Sequence, residues 1–206
     1  NFLINDSTLI DEHIAGIPGD VFIEKYLDKC SPSEQAQIAK EYVKFNERSM
    51  IRLLGDMRAY NYVVIPTHDF DQVIYKIRAI DFDQQSFEGK LMVYRPQFFK
   101  ENFPMISVVK EKHSPESIIQ YKIEERSILA KRILSSGDRL GSLLDIMTLD
   151  TLTTPENLKK LSSEIFKFTK DAAFKKSKNM GEVMKASFTY VRRNYENLNM
   201  SNLINS

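Results

Sequence analysis

The sequence has no tryptophan, a single cysteine, and only seven glycines and seven prolines among 206 residues. One cysteine, Cys30, excludes an intrachain disulfide framework, and the low glycine and proline content excludes collagen-like and low-complexity chains. The sequence also lacks a run of about 20 apolar residues and a recognisable signal peptide, so it predicts no membrane span. We therefore expect a cytoplasmic protein.

Neither sign of charge is in excess, because 29 Lys and Arg residues stand against 28 Asp and Glu residues. A formal charge of +1 indicates no nucleic-acid or membrane-surface partner, since both require a strong positive field. What is present is an ordinary globular composition, 42% apolar and 28% charged. Its length predicts one large domain or two small ones.

The first half of the chain carries clear signals for helices. Residues 31–34, Ser-Pro-Ser-Glu, form a capping box with proline at the first helical position, which predicts a helix over about 32–54 that ends at Gly55. Before it, an extended run at 9–14 and a short helix at 21–27 are expected.

The middle of the chain predicts a β-hairpin followed by a long ordered loop. Residues 62–65 are β-branched and aromatic, and residues 73–79 alternate apolar and charged side chains, so both are predicted strands joined by a long turn at 66–72. Residues 84–112 show no clear period and are rich in aromatic and basic side chains. Such a loop either recognises a substrate or packs onto the helices, and the sequence does not separate the two.

The remainder is predicted to be helical. Two helices begin after hydroxyl caps followed by proline, at Ser114 and Thr154, and the first of them ends at Gly137. A last helix carries apolar residues at helical spacing over 184–195, and the polar tail 197–206 is expected to fray.

Four polar residues around the hairpin carry the chemistry. Asp56, Arg58 and Asn61 lie in the loop between the long helix and the first strand, and Asp81 follows the second strand. Because the strands of a hairpin are antiparallel, Asp81 and Asn61 should lie side by side. Their oxygens suit Mg²⁺, and Asp56 remains free to accept a proton from a hydroxyl. An ordinary helix-end turn stabilised by Asx side chains would explain Asp56 and Asn61 alone.

These motifs resemble the protein-kinase-like fold, in particular its aminoglycoside and choline phosphotransferase branch. The resemblance rests on Gly-Asp-x-x-x-x-Asn at 55–61 and Ile-Asp-Phe at 80–82. It implies that Asp56 is the catalytic base, that Asn61 is a metal ligand, and that Asp81 is the second metal ligand. The cation that neutralises the transferred phosphoryl group would then be Arg58.

Two departures from the family motifs involve the same region. Leu54 replaces the histidine that often precedes the catalytic dipeptide, and Asp83 replaces the glycine of Asp-Phe-Gly. Asp83 is either an additional metal ligand or a solvated side chain. A second Asp-Phe-Asp at 69–71 imitates the motif but lies in the predicted turn, so we interpret it as solvated.

A weaker resemblance lies upstream, where residues 9–14 resemble the hinge that joins the two kinase lobes. The resemblance implies that Glu12, His13 and Ile14 bind the adenine of ATP, with Glu12 and Ile14 contributing backbone groups. The predicted fold is α+β: a mainly helical kinase-like C-lobe with a catalytic β-hairpin, and an N-lobe missing from the chain.

This fold divides the chain into a hinge region and a C-lobe. The predicted bounds are 1–19 for the hinge region and 20–206 for the C-lobe, with the catalytic loop and hairpin at 54–83, the long loop at 84–113 and the terminal helices at 114–196.

The predicted function is an ATP- and Mg²⁺-dependent phosphotransferase that acts on an unidentified hydroxyl acceptor. No glycine-rich phosphate loop or phosphate-binding lysine is found in the sequence, so residues 1–206 alone are expected to be inactive. Two alternatives remain open within the sequence: a protein or lipid kinase, and a noncatalytic pseudokinase or helical interaction module.

Overall fold

The computed structural model describes residues 3–5, 8–10, 13–70, 72–149 and 151–204, and the side chains of those between 13 and 196. The fold is α+β and mainly helical. The strands are β1 (Leu3–Asn5), β2 (Thr8–Ile10), β3 (Ile17–Pro18), β4 (Tyr62–Asp69) and β5 (Gln72–Ala79). The helices are α1 (Gly19–Lys25), α2 (Pro32–Ile51), α3 (Phe103–Lys112), α4 (Pro115–Ser135), α5 (Gly137–Met147), α6 (Pro155–Thr169), α7 (Ala172–Lys176) and α8 (Met180–Ile204). Across the described ranges, no helix combines the length and the apolar character that a bilayer span requires.

The predicted hairpin is confirmed, but its turn is shorter than the sequence indicated. Strands β4 and β5 pair antiparallel from Tyr62 opposite Ala79 to Asp69 opposite Gln72, so two residues connect them. Strand β3 adds to the other side of β4 in antiparallel register, which makes a sheet in the order β3-β4-β5. The turn residue Phe70 has φ 51° and a fully exposed side chain, which fits a short loop.

Helix α2 begins where its capping box predicted. The Ser31 hydroxyl accepts from the Glu34 amide, and the Glu34 carboxylate accepts from the Ser31 amide at 2.8 Å. The predicted end was wrong, because the helix stops at Ile51 and the left-handed residue is Leu53 (φ 48°). Gly55 has a different role: a Cβ atom there would lie 2.4 Å from the Gln84 carbonyl oxygen, so only glycine allows this close approach.

The main core lies between α2, the hairpin and α3. Apolar side chains of α2 at helical spacing pack against the inner face of β4 and β5, as periodicity predicted. The aromatic rings of Phe45 and Tyr62 have centroids 5.1 Å apart. Other members of this core are Phe22, Leu27, Ile38, Tyr42, Val64, Ile77 and Met105. The hairpin is therefore held rigidly on the long helix.

A second core joins the helices that follow. Its buried members come from the loop after α2, from the segment between the hairpin and α3, and from α5 to α8; they include Leu53, Tyr94, Leu144, Leu161, Ile165, Phe174, Val183 and Met184. Helix α4 packs against both α2 and α8. Leu53 and Tyr94 thus attach the chain on both sides of the hairpin to the second core.

Several predictions about the second half of the chain need correction. Residues 103–112, predicted as part of a long ordered loop with short elements, form α3, and α5 lies in the stretch predicted as helical but had no predicted bounds of its own. The predicted helix after Thr154 is interrupted at Lys170 (φ 58°) and continues as α7. Helix α8 extends to Ile204 through the tail that was expected to fray. Two signals were correct: Ser114 and Thr154 cap α4 and α6, and Gly137 (φ 54°) follows the end of α4.

Candidate functional site

The loop between α2 and β4 is a sharply folded segment held by its own backbone. Two of its non-glycine residues, Leu53 and Asp56, have positive φ angles of 48° and 51°. The Arg58 amide donates to the Asp56 carbonyl at 2.7 Å, and the Asn61 amide donates to the Arg58 carbonyl at 2.9 Å. Left-handed backbone is unfavourable for a branched residue such as Leu, so the surrounding packing stabilises this conformation.

Asp56 and Arg58, the predicted base and cation, form an ion pair. The Arg58 Nε donates to Asp56 Oδ1 at 2.8 Å, and its Nη1 donates to Glu101 Oε1 at 3.0 Å. The guanidinium also lies 4.9 Å from the centroid of the Phe99 ring. The hydrogen bond to Asp56 raises the pKa of Arg58, which favours the charged form of the guanidinium. Oδ2 of Asp56 has no hydrogen-bond partner among the described residues, and the side chain is one-third exposed.

Asn61, the predicted metal ligand, is fixed by the same loop. Its Nδ2 donates to the Asp56 carbonyl oxygen at 2.8 Å, which couples the side chain of one predicted site residue to the backbone of another. The residue is buried at 8% exposure. Because the amide nitrogen is engaged, the side-chain oxygen Oδ1 is the atom left to act as a ligand.

Asp81 lies next to Asn61, as the hairpin predicted. The Ile80 amide donates to the Asn61 carbonyl at 3.1 Å, which places Asp81 one residue beyond this backbone contact. Oδ1 of Asp81 accepts from the Asp83 amide at 3.2 Å, and the Asp83 side chain is exposed. The backbone amide of Asp83 therefore orients the Asp81 side chain. That the Asp83 side chain is itself a metal ligand stays a prediction.

The described residues contain no group of three or more His, Cys, Asp or Glu side chains arranged to hold a metal ion. A protein cage for a structural metal is thus lacking in the described part. Asn61 and Asp81 each carry oxygen atoms of the kind that Mg²⁺ takes, and this ion usually binds one or two protein carboxylates and completes its shell with water and phosphate oxygens.

The loop between α2 and β4 is also stabilised by residues elsewhere in the chain that the sequence did not predict. Asn102 is completely buried, and its Nδ2 donates to the carbonyl oxygens of Met57 (3.0 Å) and Pro96 (2.9 Å), while its Oδ1 accepts from the Tyr62 hydroxyl at 2.9 Å. The Asp56 amide donates to the Val93 carbonyl at 3.1 Å. The loop at 84–102 therefore packs against the site. Asn102 stands at the N-cap position of α3, two residues before a proline, and this start signal was available in the sequence.

We expect Asn102→Ala to lower the free energy of unfolding by about 3 kcal/mol, because it leaves the Met57 carbonyl and the Tyr62 hydroxyl buried without partners. Urea denaturation measures this loss. Asn194→Ala is the matched control, since Asn194 is exposed on α8 and should change stability by less than about 0.5 kcal/mol. Equal stability of the two variants would contradict a supporting role for Asn102.

The predicted adenine-binding residues lie apart from this loop. Glu12 falls outside the described residues, His13 is exposed and Ile14 is half-buried. His13 and Ile14 border a cavity of about 1080 Å³, whose lining also includes Val63 and Ile80. Asp56, Arg58, Asn61, Asp81 and Asp83 do not line it. The cavity thus borders the Asp56 loop at Leu54 and the end of the hairpin at Ile80 and Phe82, the two neighbours of Asp81.

Comparison of this chain with protein-family models, with curated proteins and with solved structures found no match.

Proposed function

We propose that the protein is an ATP- and Mg²⁺-dependent phosphotransferase in which Asp56 accepts the proton of a hydroxyl acceptor. The observation that carries the proposal is the hydrogen bond from the Asn61 side chain to the Asp56 carbonyl, together with the Asp56–Arg58 ion pair. These contacts gather a proton acceptor, a cation and an oxygen ligand in a loop of six residues. Phosphoryl transfer depends on such positioned charge more than on covalent chemistry.

Each residue of the loop has a separate task in this proposal. Asp56 takes the proton on Oδ2, the oxygen that Arg58 does not occupy. Arg58 offsets the negative charge of the transferred phosphoryl group, and Glu101 and Phe99 keep its guanidinium beside Asp56. An acceptor hydroxyl reaches Asp56 from solvent, because the side chain is partly exposed.

Asn61 and Asp81 would hold Mg²⁺ through Oδ1 and a carboxylate oxygen, respectively. The ion would neutralise the phosphates of the nucleotide when bound. The Asp83 amide donates to Asp81 Oδ1 and so restrains the carboxylate that would hold the ion. The cavity beside His13 and Ile14 gives the nucleotide base a place next to Ile80, and therefore next to Asp81.

We expect Asp81→Asn to remove the Mg²⁺-dependent part of ATP binding and to weaken the affinity for Mg·ATP at least about tenfold, because a neutral amide is a poorer Mg²⁺ ligand than a carboxylate. Calorimetric titration of the complete natural protein with Mg·ATP measures this change. Asp81 is half-exposed, so the variant should fold normally.

The matched control is Asp69→Asn, since Asp69 has the same Asp-Phe context but is exposed at the tip of the hairpin. This variant should bind Mg·ATP as the wild type does. The proposal fails if both variants bind equally well, or if the wild type binds ATP with the same affinity in the presence and absence of Mg²⁺.

A further inference from the structure

The large cavity has a basic part that plays no role in the proposed phosphotransferase. Beyond its edge at Ile14 and Ile80, it extends between α2, β5 and α4. Six basic side chains and only two acidic ones line this part. They are Lys44, Arg48, Arg52, Lys76, Arg78 and Arg132, and the carboxylates belong to Glu41 and Glu125. The cavity is therefore strongly positive in a chain whose overall charge is +1.

The two carboxylates are already engaged by one arginine. Arg48 donates to Glu41 Oε1 at 2.6 Å and forms an ion pair with Glu125 Oε2 at 3.1 Å. Burial would lower the pKa of Arg48, but the two carboxylates outweigh it and raise that pKa. Glu41 also accepts from the Ile77 amide at 3.1 Å. Lys44 is likewise paired, with Glu124 Oε2 at 2.8 Å, so four of the six cations have no carboxylate partner among the described residues.

Arg52 is the central uncompensated cation. It is half-buried where α2 ends, and its guanidinium has no hydrogen bond or ion pair with any described residue. Burial lowers its pKa, and the positive charges of Arg48 and Arg132 lower it further. Lys76, Arg78 and Arg132 are exposed and likewise form no ion pair within the described ranges. Guanidinium groups this close repel one another, and an anion between them would remove the repulsion.

We propose that this cavity binds a small molecule with two or more phosphate groups, at a site distinct from the proposed Mg²⁺ site. Guanidinium groups match phosphate geometry with paired hydrogen bonds, and several cations around one space favour several negative charges. A concave volume of about 1080 Å³ fits a small molecule, whereas a duplex nucleic acid requires an extended basic surface. Ile128, on the α4 side of the cavity, offers apolar contact to an organic part of the ligand.

Sodium tripolyphosphate in a buffer with EDTA is the probe, because it presents phosphate charge without nucleotide base or metal. We expect calorimetry to show binding to the full chain that weakens as salt is raised. Arg52→Gln and Arg132→Gln should each weaken binding about tenfold or more, since each removes one charge-assisted hydrogen-bond partner. Arg132 is exposed, so its variant keeps the test independent of any folding defect in the Arg52 variant.

Two controls separate this site from others. Arg192→Gln removes an exposed arginine of α8 outside the cavity and should leave tripolyphosphate affinity unchanged. Asp81→Asn should also bind tripolyphosphate normally, even if Mg·ATP binding is lost, so the failure of one proposal is distinguishable from the failure of the other. No binding by the wild type, binding by both the Arg52 and Arg132 variants with the wild-type affinity, or binding only to RNA or an acidic peptide would overturn the inference.

Discussion

Asp56→Asn is expected to lower the rate of ATP turnover by about a thousandfold, which is the usual contribution of a positioned general base. The amide keeps the size of the side chain and retains an oxygen that accepts from Arg58 Nε, so the loop should keep its shape. What the variant loses is the oxygen that takes the proton. Release of ADP by the complete natural protein, with water or an added alcohol as acceptor, measures the rate.

The affinity for Mg·ATP should change little in the same variant, because the proposal gives Asp56 no role in holding the metal. A fall in kcat without loss of nucleotide binding therefore distinguishes a base from a ligand. Asp138→Asn is the matched control, since Asp138 is exposed in the first turn of α5 and should leave turnover unchanged. Turnover by Asp56→Asn at the wild-type rate would rule out a catalytic role for Asp56.

Arg48→Met is expected to lower the free energy of unfolding by about 3–5 kcal/mol, independently of any catalytic function. Glu125 is only 2% exposed, and Arg48 is the cation that compensates its charge, so the variant leaves a buried carboxylate unpaired. Removing one partner of a buried ion pair lowers the free energy of unfolding by far more than the intact pair contributes to it. Urea denaturation, with the slope checked for two-state unfolding, measures the loss.

The surface pair between Arg192 and Glu196 provides the matched control. Both side chains are about half exposed, so Arg192→Met should cost less than about 0.5 kcal/mol. The double variant Arg48→Met with Glu125→Gln should regain part of the lost stability, because the amide carries no charge to leave unpaired. A loss below about 1 kcal/mol in Arg48→Met would show that Glu125 finds another partner or is solvated.

Much of the candidate site followed from local sequence. The hairpin alternation placed Asn61 and Asp81 on neighbouring strand ends, and the hydrogen bond from the Ile80 amide to the Asn61 carbonyl agrees with that register. The sequence also shows directly that Asp56 lies five residues, and Arg58 three residues, before Asn61. Whether these residues catalyse phosphoryl transfer stays a prediction.

The residues that support the site came only from the structure. Glu101 and Asn102 are about 40 residues from the groups they contact, and no periodicity links positions so far apart. The environment of Arg52 likewise became visible only in the structure, since the cavity around it is formed by α2, β5 and α4 together. A sequence pattern reports which side chains are present, but not which carboxylate each arginine meets.

The starts of α2, α4 and α6 were determined by the sequence itself, because the capping side chains at Ser31, Ser114 and Thr154 bond to amides only three residues away. The hairpin was determined in the same way by alternation over a few residues. Tertiary packing decided the end of α2 at Ile51 and the left-handed turn at Leu53, since these depend on the second core. It also decided which charges are compensated, because electrostatic balance depends on distance in space and not on distance along the chain.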